Sequence, residues 1–294
     1  MRFYLGQRVS NLPEGLTRWR DAVAIVIVCL LCYVNALDGA FHYDDFHSIV
    51  DNPGIRSLAN IPDFFWDTSL FSVDDEKAMY RPMLLLTYAI NYAIGGYGSS
   101  GYQTVNLLLH LLCSLFVWKI AGVLLRCPKV ALMSGLIFAV HPVATEPVNY
   151  VSSRSELLAG MLYLGAFLTH ITAPAAHFSA RRLTALALFA CGLLSKSVVV
   201  TLPLVLIVYD LGPGQRVRNL AEAFAILRAR WHLHLPYWLL VVTYLGLVKS
   251  VGYTERAFGS LVRGWVVQLW TQLKAPVYYA KLLAVPVGQS VEHQ

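Results

Sequence analysis

Residues Phe41 to Asn52 read FHYDDFHSIVDN. Asp44 and Asp45 are adjacent carboxylates, flanked by aromatics and by His42 and His47. A carboxylate pair can act as a general base or hold a divalent cation. An acidic pair at the edge of hydrocarbon costs several kcal/mol unless it is used, which marks this pair as a candidate catalytic centre. Further along stand Arg81, Arg154 and Lys196, with His141, Glu146 and Glu156 between them. Arginine binds phosphate through a fork of donors and lysine as a point charge.

The elements that must position these groups are membrane helices. The 294-residue chain is 57% hydrophobic and 14% charged, with mean hydropathy +0.55. Soluble domains carry about 25% charged residues, so the composition excludes an ordinary globular domain and implies an all-α polytopic membrane protein. The net charge of +6 comes from Lys and Arg scattered at helix ends, which suits cytoplasmic loops and argues against a nucleic-acid partner. The five cysteines lie in or beside apolar runs, so neither disulfides nor a zinc site is expected. The Cys29–Cys32 spacing falls inside a spanning helix and reads as small apolar residues. No Asn-x-Ser/Thr acceptor occurs, and the first apolar run reads as a signal anchor rather than a cleaved leader.

Residues 1–20 hold Arg2, Arg8, Arg18 and Arg20 against the single acid Glu14, and the positive-inside rule puts them in the cytoplasm. Residues 21–38 form the first span, so the Asp44–Asp45 stretch emerges on the far side. Residues 39–101 form an external loop containing a turn at Asn52-Pro53-Gly54, interfacial aromatics and a short helix over 82–95. That helix is too short to cross and reads as re-entrant or juxtamembrane. Residues 102–294 are the remaining bundle. In it, 102–125 spans, 130–141 returns outward to a polar turn over 144–156, and 157–173 goes back inward. Two short arms, 183–194 and 198–209, meet at Ser195-Lys196-Ser197. Residues 216–231 read as a cytoplasmic amphipathic segment, 235–250 as a further span, and 264–285 as a span or an interfacial helix. The chain stops soon after an apolar run, which reads as a short version or a fragment of something longer.

This topology gathers Asp44, Asp45, His47, Arg81, His141, Glu146, Arg154, Glu156 and Lys196 at the external face. Carboxylates and cations together suit transfer of a sugar from a lipid-linked phosphate. Cations stabilise the leaving phosphate, a carboxylate deprotonates the accepting hydroxyl, and in-line displacement inverts the anomeric centre. Each residue also has a plainer reading. The acidic pair can open a solvated loop, Arg81-Pro82 can start a helix, His141-Pro142 can end one, and Arg154 with Glu156 can form a local ion pair. Asn106 and His110 share a helix face and read as interhelical hydrogen-bonding residues. Lys196, between two half-length helices, points more strongly to function.

The ordered set FHYDDFHSIVDN, AMYRPMLLLTYAINYAIGGYG, GYQTVNLLLHLL, FAVHPVATEPVNYVSSRSELLAG and GLLSKSVVVTLPLVLIVYD resembles the membrane half of the transmembrane O-mannosyltransferases that carry tetratricopeptide repeats, and their bacterial relatives. The resemblance covers roughly residues 35–212 and, more loosely, 235–293. It implies a GT-C glycosyltransferase: a bundle of about seven to eight transmembrane helices, some short or re-entrant. It also implies a polyprenyl- or dolichyl-phosphate sugar donor, a protein or glycan acceptor, and hexosyl transfer, mannose-like, at the outer face of a bacterial inner membrane or the lumenal face of the endoplasmic reticulum. By position, Asp44 matches the catalytic base and Asp45 its acidic neighbour. Arg81 falls in the motif that opens the external helix, Arg154 on the arginine of the external turn, and Lys196 on a Ser/Thr-Lys motif at the donor phosphate. The chain departs from the pattern at Ala144, where relatives often have His, and at Ser197, where they often have Glu. Two rival readings are a non-catalytic scaffold derived from the same fold and a transporter of lipid-linked sugars. The transporter would need charges spread through the membrane depth, a pattern the chain lacks.

Overall fold

In the computed structural model, the described residues are 19–174, 179–212, 217, 219–254 and 264–287. Residues 1–18 of the expected cytoplasmic N-terminus lie outside them. Among the described residues every regular element is helical.

The first helix, α1 (Trp19–Tyr33), continues as a 3₁₀ turn over Val34–Asp38. A chain of short turns then carries the segment to α2 (Pro82–Gly95), with Pro at its first position and Gly96, at φ 56°, ending it. Next come α3 (Ser99–Leu125), α4 (Pro128–Val140), α5 (Thr145–Asn149) and α6 (Arg154–Ile171). The two short arms are α7 (Ala180–Leu193) and α8 (Leu202–Leu211), joined at Lys196 by the 3₁₀ turn Ser197–Thr201. The chain ends in α9 (Leu220–Ser250) and α10 (Trp265–Ala284).

Three apolar clusters hold these elements. One joins α1, α3, α4 and α6 through Ile25, Cys29, Leu107, Trp118 and Leu158. Here α4 comes very close to its neighbours: a Cβ on Gly135 would stand 2.8 Å from Ile25 Cδ1 and from Trp118 Cβ, so only glycine permits the approach. A second cluster joins α6, α7, α8 and α9. The third roots the loop between α1 and α2 on α2 through Ile49, Ile55, Phe64, Leu84 and Tyr88.

Two features differ from the sequence expectations. Three stretches are long and apolar enough to cross a bilayer: Trp19–Asp38, Ser99–Leu125 and Leu220–Ser250. The bent pair Pro128–Val140 and Pro142–Asn149, at 47°, makes up to four if counted as one span. The chain is an integral membrane protein, but the other helices fall short of the length or apolarity of a full span. Second, the described part of the segment expected at 216–231, from Leu220 on, and the segment expected at 235–250 form the single helix α9, with Pro236 inside it. Arg230 and His234 lie one turn apart on it and both bond Asp210 of α8, so polar residues that looked like a boundary are a helix face.

Candidate active site at the Tyr150–Glu156 turn

The segment Tyr150–Glu156 links α5 to α6, and successive side chains along it reach different groups that the sequence singled out. The backbone N–H of Asp44 donates to Tyr150 Oη at 3.0 Å. The backbone N–H and hydroxyl of Ser152 both donate to Asp45 Oδ1, at 2.7 and 2.5 Å. Ser153 Oγ donates to Glu146 at 3.4 Å. Ser155 Oγ accepts from Arg81 at 3.0 Å. Glu156 pairs with Lys196. The amide of Met83, two residues past Arg81, donates to the carbonyl of Leu194 at 3.2 Å, which fastens the start of α2 beside the Lys196 junction.

The two aspartates face opposite ways. Tyr43, just before them, has φ 45°, a left-handed conformation that costs a bulky residue roughly 1–3 kcal/mol and tends to occur at functional sites. A π-turn follows over Phe46–Val50, closed by Asp51 N–H to Phe46 O at 2.8 Å. Asp44 points outward with 55% of its side chain exposed. Its Oδ1 lies 3.0 Å from His47 Nε2 and 3.5 Å from Lys77 Nζ. Ser72 Oγ accepts the amide of Asp74 at 2.9 Å and lies 2.9 Å from His47 Nδ1. The ionised Asp44 carboxylate can only accept, so its bond with His47 runs from Nε2–H to Asp44 Oδ1. Partial burial pushes the Asp44 carboxyl upward, but His47, the Tyr150 hydroxyl and Lys77 outweigh it and hold Asp44 below its ordinary value. Burial raises Tyr150 to about 12, so its phenol stays protonated beside that carboxylate.

Asp45 is fully buried. Its second oxygen accepts the backbone N–H of His42 at 2.9 Å. Burial pushes its carboxyl up despite these bonds. This corrects the expectation of a second catalytic carboxylate: with both oxygens bonded to protein and none exposed, Asp45 ties the loop to the turn.

Arg154 is corrected on similar grounds. It is fully buried, with Tyr88 and Tyr102 ring centroids 4.9 and 5.3 Å from its guanidinium carbon. Its N–H groups donate to Asn106 Oδ1, Asn91 Oδ1, Thr87 Oγ1 and the Tyr102 carbonyl at 2.7–3.2 Å. It is enclosed by protein and does not pair with Glu156. Asn106 also donates to the carbonyls of Pro147 and Tyr150, so Arg154 and Asn106 together brace the turn from beneath. His110 donates across to α4 at the Ala139 carbonyl, 3.1 Å away, as an interhelical role requires.

His141 lies apart from the turn's bonds. Its Nδ1 accepts from the amide of Val143, and its Nε2 lies 3.1 Å from the carbonyl of Leu283 on α10. It does share an apolar cavity of about 690 Å³ with Glu156, Phe138, Tyr163 and Leu283. That volume lies within the range of small-molecule sites. Among the described residues no three His, Cys, Asp or Glu side chains gather to hold a metal ion.

Sequence reasoning missed Tyr150, Ser152, Ser155 and Lys77. The first three were signalled by the density of hydroxyls in YVSSRSE within so apolar a chain; Lys77 carried no signal, being one loop charge among several.

Over 239 residues, 71% of its length, the chain is 31% identical to Protein O-mannosyl-transferase Tmtc3 of Drosophila melanogaster. Over 290 residues, 88% of its length, it is 30% identical to Protein O-mannosyl-transferase Tmtc2 of the same species. The chain belongs to the protein O-mannosyl-transferase family. It also shares 33% identity over 180 residues, 55% of its length, with the Mus musculus O-mannosyl-transferase TMTC4. These matches cover 26%, 29% and 24% of the relatives' own chains, so the chain spans about a quarter of the curated O-mannosyl-transferases it matches. No family model and no solved structure matches.

Proposed function

We propose that the chain is the membrane part of a GT-C-type glycosyltransferase. It moves a mannose-like sugar from a polyprenyl- or dolichyl-phosphate carrier to a hydroxyl of a protein or glycan. The observation that carries this reading is the turn Tyr150–Glu156. It tethers an exposed, ionised carboxylate, Asp44, to the cations Arg81 and Lys196 and to an apolar cavity through Glu156.

Asp44 takes the proton of the acceptor hydroxyl. That oxygen attacks the anomeric carbon, the bond from the anomeric carbon to the phosphate oxygen breaks, and the electron pair leaves with the lipid phosphate. Arg81 and Lys196 offset the charge that develops there. Lys196 rests on Glu156 and would exchange this partner for the donor phosphate. His47 and Lys77 keep Asp44 ionised and oriented. Asp45 and Arg154 act as positioning residues. The cavity suits the first isoprene units of the carrier. The site faces the periplasm, or the lumen of the endoplasmic reticulum in a eukaryote. The shorter helices fill out a bundle of about seven to eight membrane segments, several of them broken at the site.

The test supplies purified protein in lipid with radiolabelled polyprenyl-phosphate sugars and an extract of proteins and glycans from the facing compartment. Label should move with wild type and not with Asp44→Asn. A fully active Asp44→Asn would end the assignment. A scaffold reading draws on Arg154 and Asp45 being wholly engaged inside the protein; it expects neither transfer nor binding of the donor.

A further inference from the structure

We infer that Tyr43 is an acceptor-binding residue, and that it receives a polypeptide segment with a large apolar side chain beside its Ser or Thr. The occupant named here rests on the reading of Asp44 as the base.

Tyr43 is the second residue of a turn closed by Asp45 N–H to the His42 carbonyl at 2.9 Å. The same turn is clamped by a side chain, since Asp45 Oδ2 accepts the N–H of His42 at 2.9 Å. Phe46 N–H adds a bond to the Tyr43 carbonyl at 3.2 Å. Buried Asp45 thus fixes this backbone, and of the four turn residues Tyr43 alone takes a positive φ, 45°. Glycine holds such a position without strain. The backbone therefore does not account for a tyrosine here. The core does not account for it either, because Tyr43 is 70% exposed. Its ring meets Tyr150 edge to face, with centroids 6.4 Å apart at 89°. Tyr150 is also the residue whose hydroxyl accepts the N–H of Asp44. The exposed ring is thus held on the same phenol as the carboxylate, within a side chain's length of whatever meets Asp44. Strain kept for an exposed side chain at such a place points to a ligand.

The surroundings select the kind of ligand. Phe46, directly after the acidic pair, is half exposed, and so is Val73, whose N–H donates to the His47 carbonyl at 3.2 Å. Aromatic rings are the usual anchors of protein contacts, because they bury much area with few rotatable bonds. A glycan is covered in hydroxyls and gains nothing from Phe46 and Val73. A peptide with Leu or Phe beside its Ser or Thr covers this apolar surface while its hydroxyl meets Asp44.

The test is fluorescence anisotropy of a labelled peptide containing Leu-Thr, against one containing Gly-Thr, with the full chain in nanodiscs and empty nanodiscs as the blank. No sugar donor is present. A failure to transfer label therefore falls on the proposed reaction, and a failure to bind falls on this inference. Wild type and Tyr43→Phe should bind the Leu peptide about tenfold more tightly than the Gly peptide, the weight of one apolar side chain packed on a ring. Tyr43→Gly should lose that preference, while its unfolding midpoint holds or rises because the strain is gone. A tyrosine kept for stability would give a lower midpoint instead. Equal affinity of wild type for the two peptides, an unchanged preference in Tyr43→Gly, or a lowered midpoint in Tyr43→Gly would each overturn the inference. Displacement of the Leu peptide by an equal concentration of a free oligosaccharide would assign the ring to a glycan and overturn it as well.

Discussion

The two ends of the bundle carry the same trio of groups in opposite settings. At the end that holds the Tyr150–Glu156 turn, Asp44 faces His47 at 3.0 Å and Lys77 at 3.5 Å, with over half of the carboxylate side chain exposed. At the other end Asp210 faces His234 at 3.0 Å and Arg230 at 2.5 Å, with 1% exposed. A carboxylate, a histidine and a long cation therefore do not define a reactive site by themselves. The buried trio staples α8 to α9, because a charge with no water nearby must keep its partners. The exposed trio leaves its carboxylate open to a second molecule, and its ion pairs contribute little to stability because water screens them.

Mutation separates the two. Asp44→Asn should lower sugar transfer by about 10²- to 10⁴-fold, the usual weight of a general base. The unfolding midpoint should barely move, and a large loss of stability would mean that this trio too is a staple. Asp210→Asn should do the reverse. Loss of one partner from a buried ion pair costs about 3–5 kcal/mol, read by denaturant titration in detergent, while transfer per folded molecule stays near wild type. Ser152→Ala removes one of the donors to buried Asp45 and should cost about 1–3 kcal/mol. It should also raise the KM for acceptor, since the loop that carries Asp44 loosens.

The smallest effect sets Asp44 against Asp45. Asp44 titrates below its ordinary value, so its contribution to stability is present above about pH 3.9 and is lost as pH falls through its lower folded value. Asp45 titrates above its ordinary value, so its contribution is present at low pH and fades as pH rises through that raised value. Unfolding midpoints between pH 3 and 6 for Asp44→Asn and Asp45→Asn, each relative to wild type, should slope in opposite directions. Slopes of one sign would refute the outward and inward orientations of the two side chains.

The helices were largely legible because long apolar runs leave few alternatives. The segment expected at 82–95 is Pro82–Gly95, and that at 102–125 is Ser99–Leu125. Helix α9 was not, since RARWHLH looks like a boundary until Asp210 is placed opposite it. That the acidic pair, Arg81, Glu156 and Lys196 are candidates was also readable from hydropathy and charge. Which of these groups remain available was not. Aspartates at consecutive positions are alike in sequence, and only the left-handed Tyr43 and the donors of Ser152 decide that one faces out and the other in. Arg154 looked like a phosphate ligand because nothing in the sequence pairs it with Asn91 and Asn106, which lie 63 and 48 residues away.

The turn Tyr150–Glu156 has a mechanical consequence. Its residues bond the Asp44–Asp45 loop, the start of α2 and the α7–α8 junction through separate side chains, and Arg154 bolts it to the helices below. A displacement there cannot disturb one group and spare the others. Asp44, Arg81 and Lys196 shift in concert, as parts on a single crankshaft, so perturbing this segment should switch the whole cluster between two arrangements rather than dim it by degrees.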